Sequence, residues 1–234
     1  MGNKIRPDSF RIGVTKPWQS RWFLRGGYGR LLLEDETIRK VINLKIKAAG
    51  VAGIEIERTA GKCKIIILAA KPGVIIGRGG KGIEELSKAI QKALLKARKR
   101  NNYSVIDDIH YSLNIEEIKR NDVSAKHLAE TIANDLERRM PFRRTVKKYL
   151  EQLKQNKAIL GAKIKVGGRL DGGEIARDEV LAFGSLPLQT LRAEIDFGLG
   201  TAFTTFGTVG IKVWIYKGTI FKEKEEIATS RKKD

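Results

Sequence analysis

The stretch Lys71-Pro72-Gly73-Val74-Ile75-Ile76-Gly77-Arg78-Gly79-Gly80-Lys81-Gly82 decides how the fold is read. Before it, the apolar run Ile65, Ile66, Ile67, Leu68 predicts a buried central strand over about 62–70, with a partner strand near 52–59 across a turn at Ala60 and Gly61. After it, Ile83, Leu86, Ile90, Ala93, Leu94 and Ala97 recur at helical spacing, while Lys81, Lys88, Lys92 and Lys99 occupy the other face. The glycines formally satisfy G-x-G-x-x-G. A dinucleotide site, however, needs them directly after a strand and an acid about 20 positions from the first glycine to hold a ribose hydroxyl. Here Pro72 to Ile76 intervene, and Ala97 to Asn102 contains no acid. No glycine is followed by Lys and then Ser or Thr, so a Walker loop does not fit either. No nucleotide cofactor is expected.

Outward from this loop, Ile38, Val41, Ile42, Ile46 and Ala49 predict a helix of about 36–49, capped by Asp35 and ended by Gly50. Ile109, Tyr111, Leu113 and Ile115 alternate like a strand after a break at Asn101 and Asn102. The order helix, strand, strand, glycine loop, helix, strand closes a small α/β domain at about residue 118. A second unit starts at Ser124 with a stripe of Ala125, Leu128, Ala129, Ile132 and Leu136. Pro141 suits the first turn of the next helix, where Val146, Tyr149, Leu150 and Leu153 face a core and Arg143, Arg144, Lys147 and Lys148 cover an adjoining sector. Strands are expected near 161–170, 188–198 and 208–217. The last two alternate: Ala193, Ile195, Phe197 against Arg192, Glu194, Asp196, then Ile211, Val213, Ile215 against Lys212, Trp214, Tyr216. The expected class is α+β, with two helices packed on a mostly antiparallel sheet in the second domain. Residues 1–35 read as a basic aromatic arm, 36–118 and 119–218 as the domains, and 219–234 as a charged tail.

The 234 residues carry 46 Lys and Arg against 27 Asp and Glu, a net charge of +19. Residues 1–30 hold seven basic side chains against Asp8 alone, residues 62–100 eleven against two, and residues 137–157 eight against two. Three separate concentrations of cations point to an anionic polymer as partner. A membrane surface is the weaker reading, and no run of about 18 apolar residues or signal-like start occurs. Cys63 alone makes no intrachain disulfide, and one Cys with two distant His makes no zinc cage, so no metal is expected. Cys63 reads as a core thiol, and His110 and His127 as structural or exposed.

Ile76, Gly77, Arg78, Gly79, Gly80 match I-G-x-x-G, and the segment resembles the glycine loop of the KH domain, a single-strand nucleic-acid module; helix and strand ahead of the core resemble its type II arrangement. Glycines at 77 and 80 admit a phosphate backbone with no Cβ in the way. Arg78 and Lys81 add charge, and the following helix adds the field of its amino terminus.

The likeness extends further. G-N-K-I-R-P, F-R-I-G-V-T-K and S-R-W-F at the start, then L-E-R-R, F-R-R, G-G-R-L, G-G-E-I-A-R, P-L-Q-T-L-R-A-E-I-D and Gly210 to Gly218 follow in an order similar to the bacterial-type third protein of the small ribosomal subunit. This resemblance covers about residues 1–218. It implies a constituent of the subunit head that binds small-subunit rRNA beside head proteins ten and fourteen and lines the mRNA entry channel, not a homo-oligomer in function. It also implies unwinding of structured mRNA without nucleotide hydrolysis, through the F-R-R-x-x-K pattern of Arg143, Arg144 and Lys147. Further RNA contacts are expected at Lys4, Arg6, Arg11, Lys16, Arg21, Lys88, Lys92, Arg169 and Arg177, with Glu174 a competing ion-pair partner for Arg177 or Arg192. The implied location is the cytoplasmic ribosome, or an organellar one if the chain is organelle-encoded. Val180 to Ser185 depart from the W-Y-x-x-G-R pattern of the family, and Ala97 to Ser104 make a longer, more basic linker.

Two other classes remain in view at this point. An enzyme finds no carboxylate pair, metal triad or nucleophile with an adjacent base among the motifs. A free-standing KH-domain RNA regulator or decay factor would account for residues 36–118, but not for the ordered likeness of both ends.

Overall fold

The computed structural model describes residues 4–23, 27–46, 49–59, 62–100, 110–118 and 123–220. The turn expected at Ala60 and Gly61, the break at Asn101 and Asn102, Arg25 and the tail beyond residue 220 lie outside the described residues. The chain divides into two compact units, Trp18–Thr131 and a second one built from Met1–Pro17 with Ile132–Asp234. The segment read as a single arm is thus shared between them.

In the first unit, β1 (Ser20–Arg21), β2 (Val51–Thr59), β3 (Lys62–Ala69) and β4 (His110–Glu117) form a mixed sheet in that spatial order. β2 and β3 are antiparallel, whereas β1 with β2 and β3 with β4 are parallel. The run Ile65 to Ile67 lies in a central strand, as its continuous hydrophobicity predicts. Helices α2 (Tyr28–Lys45), α3 (Pro72–Ile76) and α4 (Lys81–Arg100) complete the unit. Ile38 and Ile42 of α2 and Leu86, Ile90 and Leu94 of α4 close the core over Ile54, Ile56, Cys63, Ile65 and Ile67. Each such side chain contributes about 1.5–3 kcal/mol on burial.

Helix α2 begins at Tyr28, eight residues before the expected start, and Asp35 is not its cap. Asp35 lies within the helix, 1 % exposed, where its Oδ2 accepts the indole N–H of Trp22 at 2.8 Å and its Oδ1 accepts two donors of Arg58 at 2.6 and 2.9 Å. Glu34 beside it is 2 % exposed and accepts Arg58 Nη1 at 3.0 Å and Arg98 Nε at 2.8 Å. Arg98 also donates to the Tyr111 hydroxyl at 3.0 Å. Buried carboxylates are tolerated when paired and hydrogen-bonded in this way, and the network ties α2, β2, α4 and β4 together.

In the second unit, β5 (Gly161–Gly168), β6 (Arg177–Gly184), β7 (Ala193–Thr204) and β8 (Gly207–Thr219) form an antiparallel sheet in the order β6-β5-β8-β7. Helices α5 (Ala125–Glu137), which crosses the division at Ile132, and α6 (Phe142–Gln155) supply the second layer, with α6 on β5 and β6. Ala162, Ile164, Val166, Ile211, Val213 and Ile215 lie in register on one sheet face, all buried. On the other face Tyr216 packs with Ala193, Ile195, Leu186, Leu188 and Trp214. The short α1 (Pro7–Arg11) covers that face along β7. Residues 180–184, which lie outside the three strands expected for this unit, belong to strand β6.

Candidate nucleic-acid interface

The glycine loop divides its labour among its glycines. After α3, Gly77 takes φ 68° and ψ 177°, and an added Cβ would sit 3.0 Å from the Gly82 nitrogen. A side chain on Gly82 would strike the Ile75 carbonyl, so these two glycines let α3 and α4 meet. Gly79 (φ 63°) and Gly80 (φ 79°) also adopt left-handed backbone, but nothing lies within 4 Å of where their Cβ atoms would stand. The backbone there is open to an incoming strand. Ile76, Arg78 and Lys81 are exposed around it, and Lys81 opens α4, whose amino-terminal field favours an anion.

From the loop, α4 and the edge strand β4 enclose a shallow groove of about 410 Å³, lined by Ile83, Ser87, Lys88 and Gln91 on one side and Tyr111 and Leu113 on the other. Lys88 is 78 % exposed and 4.0 Å from Glu84, an ion pair worth little in water. Lys92 is exposed one turn further along. Exposed cations and a helix amino terminus therefore stand at one end of an apolar and polar trough, the combination that single-strand recognition uses. Tyr111 and Leu113 as groove walls were signalled only by their alternation.

On α6, Phe142, Val146, Tyr149 and Leu153 are buried, which turns Arg143, Arg144 and Lys147 outward. Arg143 donates Nη2 to Glu179 Oε1 at 3.0 Å, and that hydrogen bond, then the Glu179 charge, raises its pKa above the ordinary value. Arg144 and Lys147 are exposed and make no ion pair among the described residues. Arg177 lies 3.8 Å from the same Glu179 oxygen and 5.9 Å from the Phe142 ring, so Glu179, not Glu174, is its acidic neighbour. Arg169 donates to the carbonyls of Gly173 at 2.9 Å and Phe206 at 3.4 Å and stands over the Phe206 ring, holding a turn while remaining exposed.

The amino-terminal cations divide sharply. Lys4 and Arg6 are exposed, Arg6 standing 5.4 Å from the Phe197 ring. Lys16 pairs with Asp8 at 2.7 Å and Asp196 at 3.5 Å; Arg21 pairs with Glu55 at 2.8 Å and Glu57 at 3.4 Å. Arg11 is a correction. It is 0 % exposed, and its guanidinium donates to the carbonyls of Ala193, Pro7, Leu188 and Thr190 at 2.7, 3.1, 3.1 and 2.8 Å. Every direction a phosphate would use is taken by backbone, so Arg11 is a structural clamp. His127 packs against Gly50, and burial, then Lys71, lowers its pKa and favours the neutral ring.

Comparison with known proteins agrees with this anatomy. The sequence profile described as KH domain matches residues 37–123, and that described as Ribosomal protein S3, C-terminal domain, matches residues 132–215. The protein called small ribosomal subunit protein uS3 from Koribacter versatilis is 43% identical over 98% of this chain and 99% of its own length. Its counterpart from Maridesulfovibrio salexigens is 44% identical over 97% of this chain and 100% of its own, and that from Persephonella marina 43% over 97% and 95%. With both halves matched in order and likeness running nearly end to end, the chain belongs to the uS3 family of small ribosomal subunit proteins.

Proposed function

We propose that the chain is a constituent of the small ribosomal subunit that binds rRNA and flanks the path of incoming mRNA. The glycine loop and the groove between α4 and β4 take a single strand, with phosphates at Arg78, Lys81 and the amino terminus of α4. The family resemblance supports a place in the subunit head beside proteins ten and fourteen. The observation that carries the messenger role is the outward row of Arg143, Arg144 and Lys147 on a helix whose opposite face is fixed in a core. Cations held on a rigid helix grip the backbone of an unpaired strand without reading its bases, and this favours the open form over the hairpin. Such a surface consumes no nucleotide; the work of moving the strand comes from translocation.

The test replaces Arg143, Arg144 and Lys147 with Ala and follows ribosomes through messengers with and without a hairpin. Slower passage through the hairpin with unstructured messenger little changed is the expected result. Equal hairpin passage in mutant and parent ribosomes would remove these residues from the unwinding role, and a protein sedimenting apart from small subunits in a sucrose gradient would remove the ribosomal reading itself.

A further inference from the structure

Beside the amino terminus of α6 lies a second cavity, of about 420 Å³, between the α5–α6 turn, the turn at Leu170–Gly172 and the β7–β8 hairpin. Its floor is apolar: Leu136, Phe142, Leu170 and Val209 are all buried. Its rim carries two aromatic rings left in water, Phe203 at 68 % and Phe206 at 52 % exposure. The Phe206 ring is held in place, because Gly172 has no side chain to displace it and Arg169 stands 5.8 Å from its centroid.

The backbone around this cavity is unusual. Among the described residues the only two non-glycine positions with positive φ are Arg139 (61°) and Asp171 (52°), and both line it. Helix α5 ends in a Schellman turn, with Arg139 N–H on the Leu136 carbonyl at 2.9 Å and Met140 N–H on the Asp135 carbonyl at 3.1 Å. Arg139 fills the left-handed position where glycine is the usual occupant. An outlier of this kind, at a cavity rim, points to a use for the side chain it carries.

The rim carries both signs of charge. Glu137 Oε1 accepts the Phe203 N–H at 3.0 Å, and Asp171, though exposed, has its Oδ1 3.4 Å from the Phe142 N–H. Arg169 is exposed but donates to the Gly173 and Phe206 carbonyls, Arg139 is exposed, and the floor residue Phe142 is followed directly by Arg143 and Arg144. Aromatic faces, an apolar floor and cations leading away along a helix fit an unpaired base with its phosphate, since stacking accepts any base and the charge follows the chain. We infer that this cavity receives an unstacked nucleobase of single-stranded RNA, held against Phe203 and Phe206, while the adjoining phosphates run onto Arg143 and Arg144.

This inference rests on the messenger-binding reading of α6, and the test separates the two. Full-length protein is photocrosslinked to single-stranded oligonucleotides carrying one 4-thiouridine, and the adducts are mapped by mass spectrometry. Adducts within residues 203–206 are expected, falling roughly 5- to 100-fold in Phe206→Ala, the size of a lost base–aromatic stack, and recovering in Phe206→Trp. Adducts on α6 with none at 203–206, or an adduct unaffected by Phe206→Ala in folded protein, overturn the cavity but leave the α6 reading. Absence of adducts on α6 and at the cavity overturns both. In assembled small subunits, a photoreactive benzoylphenylalanine placed at position 203 should capture RNA; capture of a protein instead would assign the cavity to a protein partner and overturn the inference.

Discussion

Arg143 and Glu179 share a hydrogen bond of 3.0 Å between α6 and β6, while the neighbouring Arg144 has no such bond among the described residues. The two arginines are adjacent in sequence but differ in how much of their charge is available. Arg144→Ala should lower the slope of log affinity against log salt by about 0.7 for single-stranded RNA, the value of one phosphate contact. Arg143→Ala should change it less, and Glu179→Gln should strengthen binding by releasing Arg143. Fluorescence anisotropy across a potassium chloride series measures all three; equal slopes for the two alanine variants would refute the distinction.

The glycine loop should separate folding from binding. Gly77→Ala meets the Gly82 nitrogen and a backbone conformation closed to L side chains, so it should lower the thermal midpoint by several degrees. Gly80→Asp points into open space, where it adds a negative charge to the proposed phosphate site at a strain cost of about 1 kcal/mol. It should leave a folded protein with weakened RNA affinity. Undiminished RNA binding by folded Gly80→Asp would count against this loop as a phosphate site.

Glu34, Asp35, Arg58 and Arg98 make a buried charge network whose members are at most 9 % exposed at the side chain. Removing one member leaves the others uncompensated. Arg58→Leu should cost about 3–5 kcal/mol, read from urea denaturation. The combined change Asp35→Asn, Arg58→Leu should cost less than Arg58→Leu alone, because the stranded Asp35 carboxylate is gone while Glu34 keeps its pair with Arg98.

Alkaline pH should destabilise the protein, because the unfolded chain loses thiol and phenol protons that the fold retains. Burial pushes the Cys63 thiol up from 9.0 to about 11, and burial with the hydrogen bond to Asp135 pushes Tyr149 up from 10.0 to about 12. The folded state therefore holds these protons more tightly than the unfolded chain. The stabilisation is complete below pH 9 and falls away as pH rises through 9 to 11 for Cys63 and 10 to 12 for Tyr149. Each group contributes a limiting slope of about 1.4 kcal/mol per pH unit. Cys63→Ala should remove the earlier part of that decline, and Cys63 in the folded protein should resist alkylation at pH 8.

Much of this anatomy was legible in the sequence. The strand of Ile65 to Ile67, the stripe on α4 and the outward cations of α6 follow from periodicity, since the partners that bury them are generic apolar surface. The start of α2 was missed because Asp35 looks like a cap, and only the distant Arg58 and Trp22 reveal that it belongs inside a helix. Strand β6 was missed because it is an edge strand with alternate side chains in water, so Arg177 to Gly184 lack the apolar rhythm of β7 and β8. In the candidate site, the glycine loop was readable from composition. The cavity beside α6 was not: Phe203 and Phe206 are distant in sequence from Arg139 and Asp171, and the left-handed backbone at Arg139 has no signature in its residue type.

The clamp at Arg11 has a temporal side. Its acceptor at Ala193 lies 182 residues later, so a nascent chain must release nearly all of itself before that guanidinium finds its carbonyls. At about 5–20 residues per second the wait is roughly 10–35 s. Over the last third of that interval residues 18–131 can already settle around their own core while the leading end stays unclaimed. The molecule is thus finished by its first-made segment, and a shortened carboxyl end would leave the beginning of the chain, not merely its end, for chaperones to shelter.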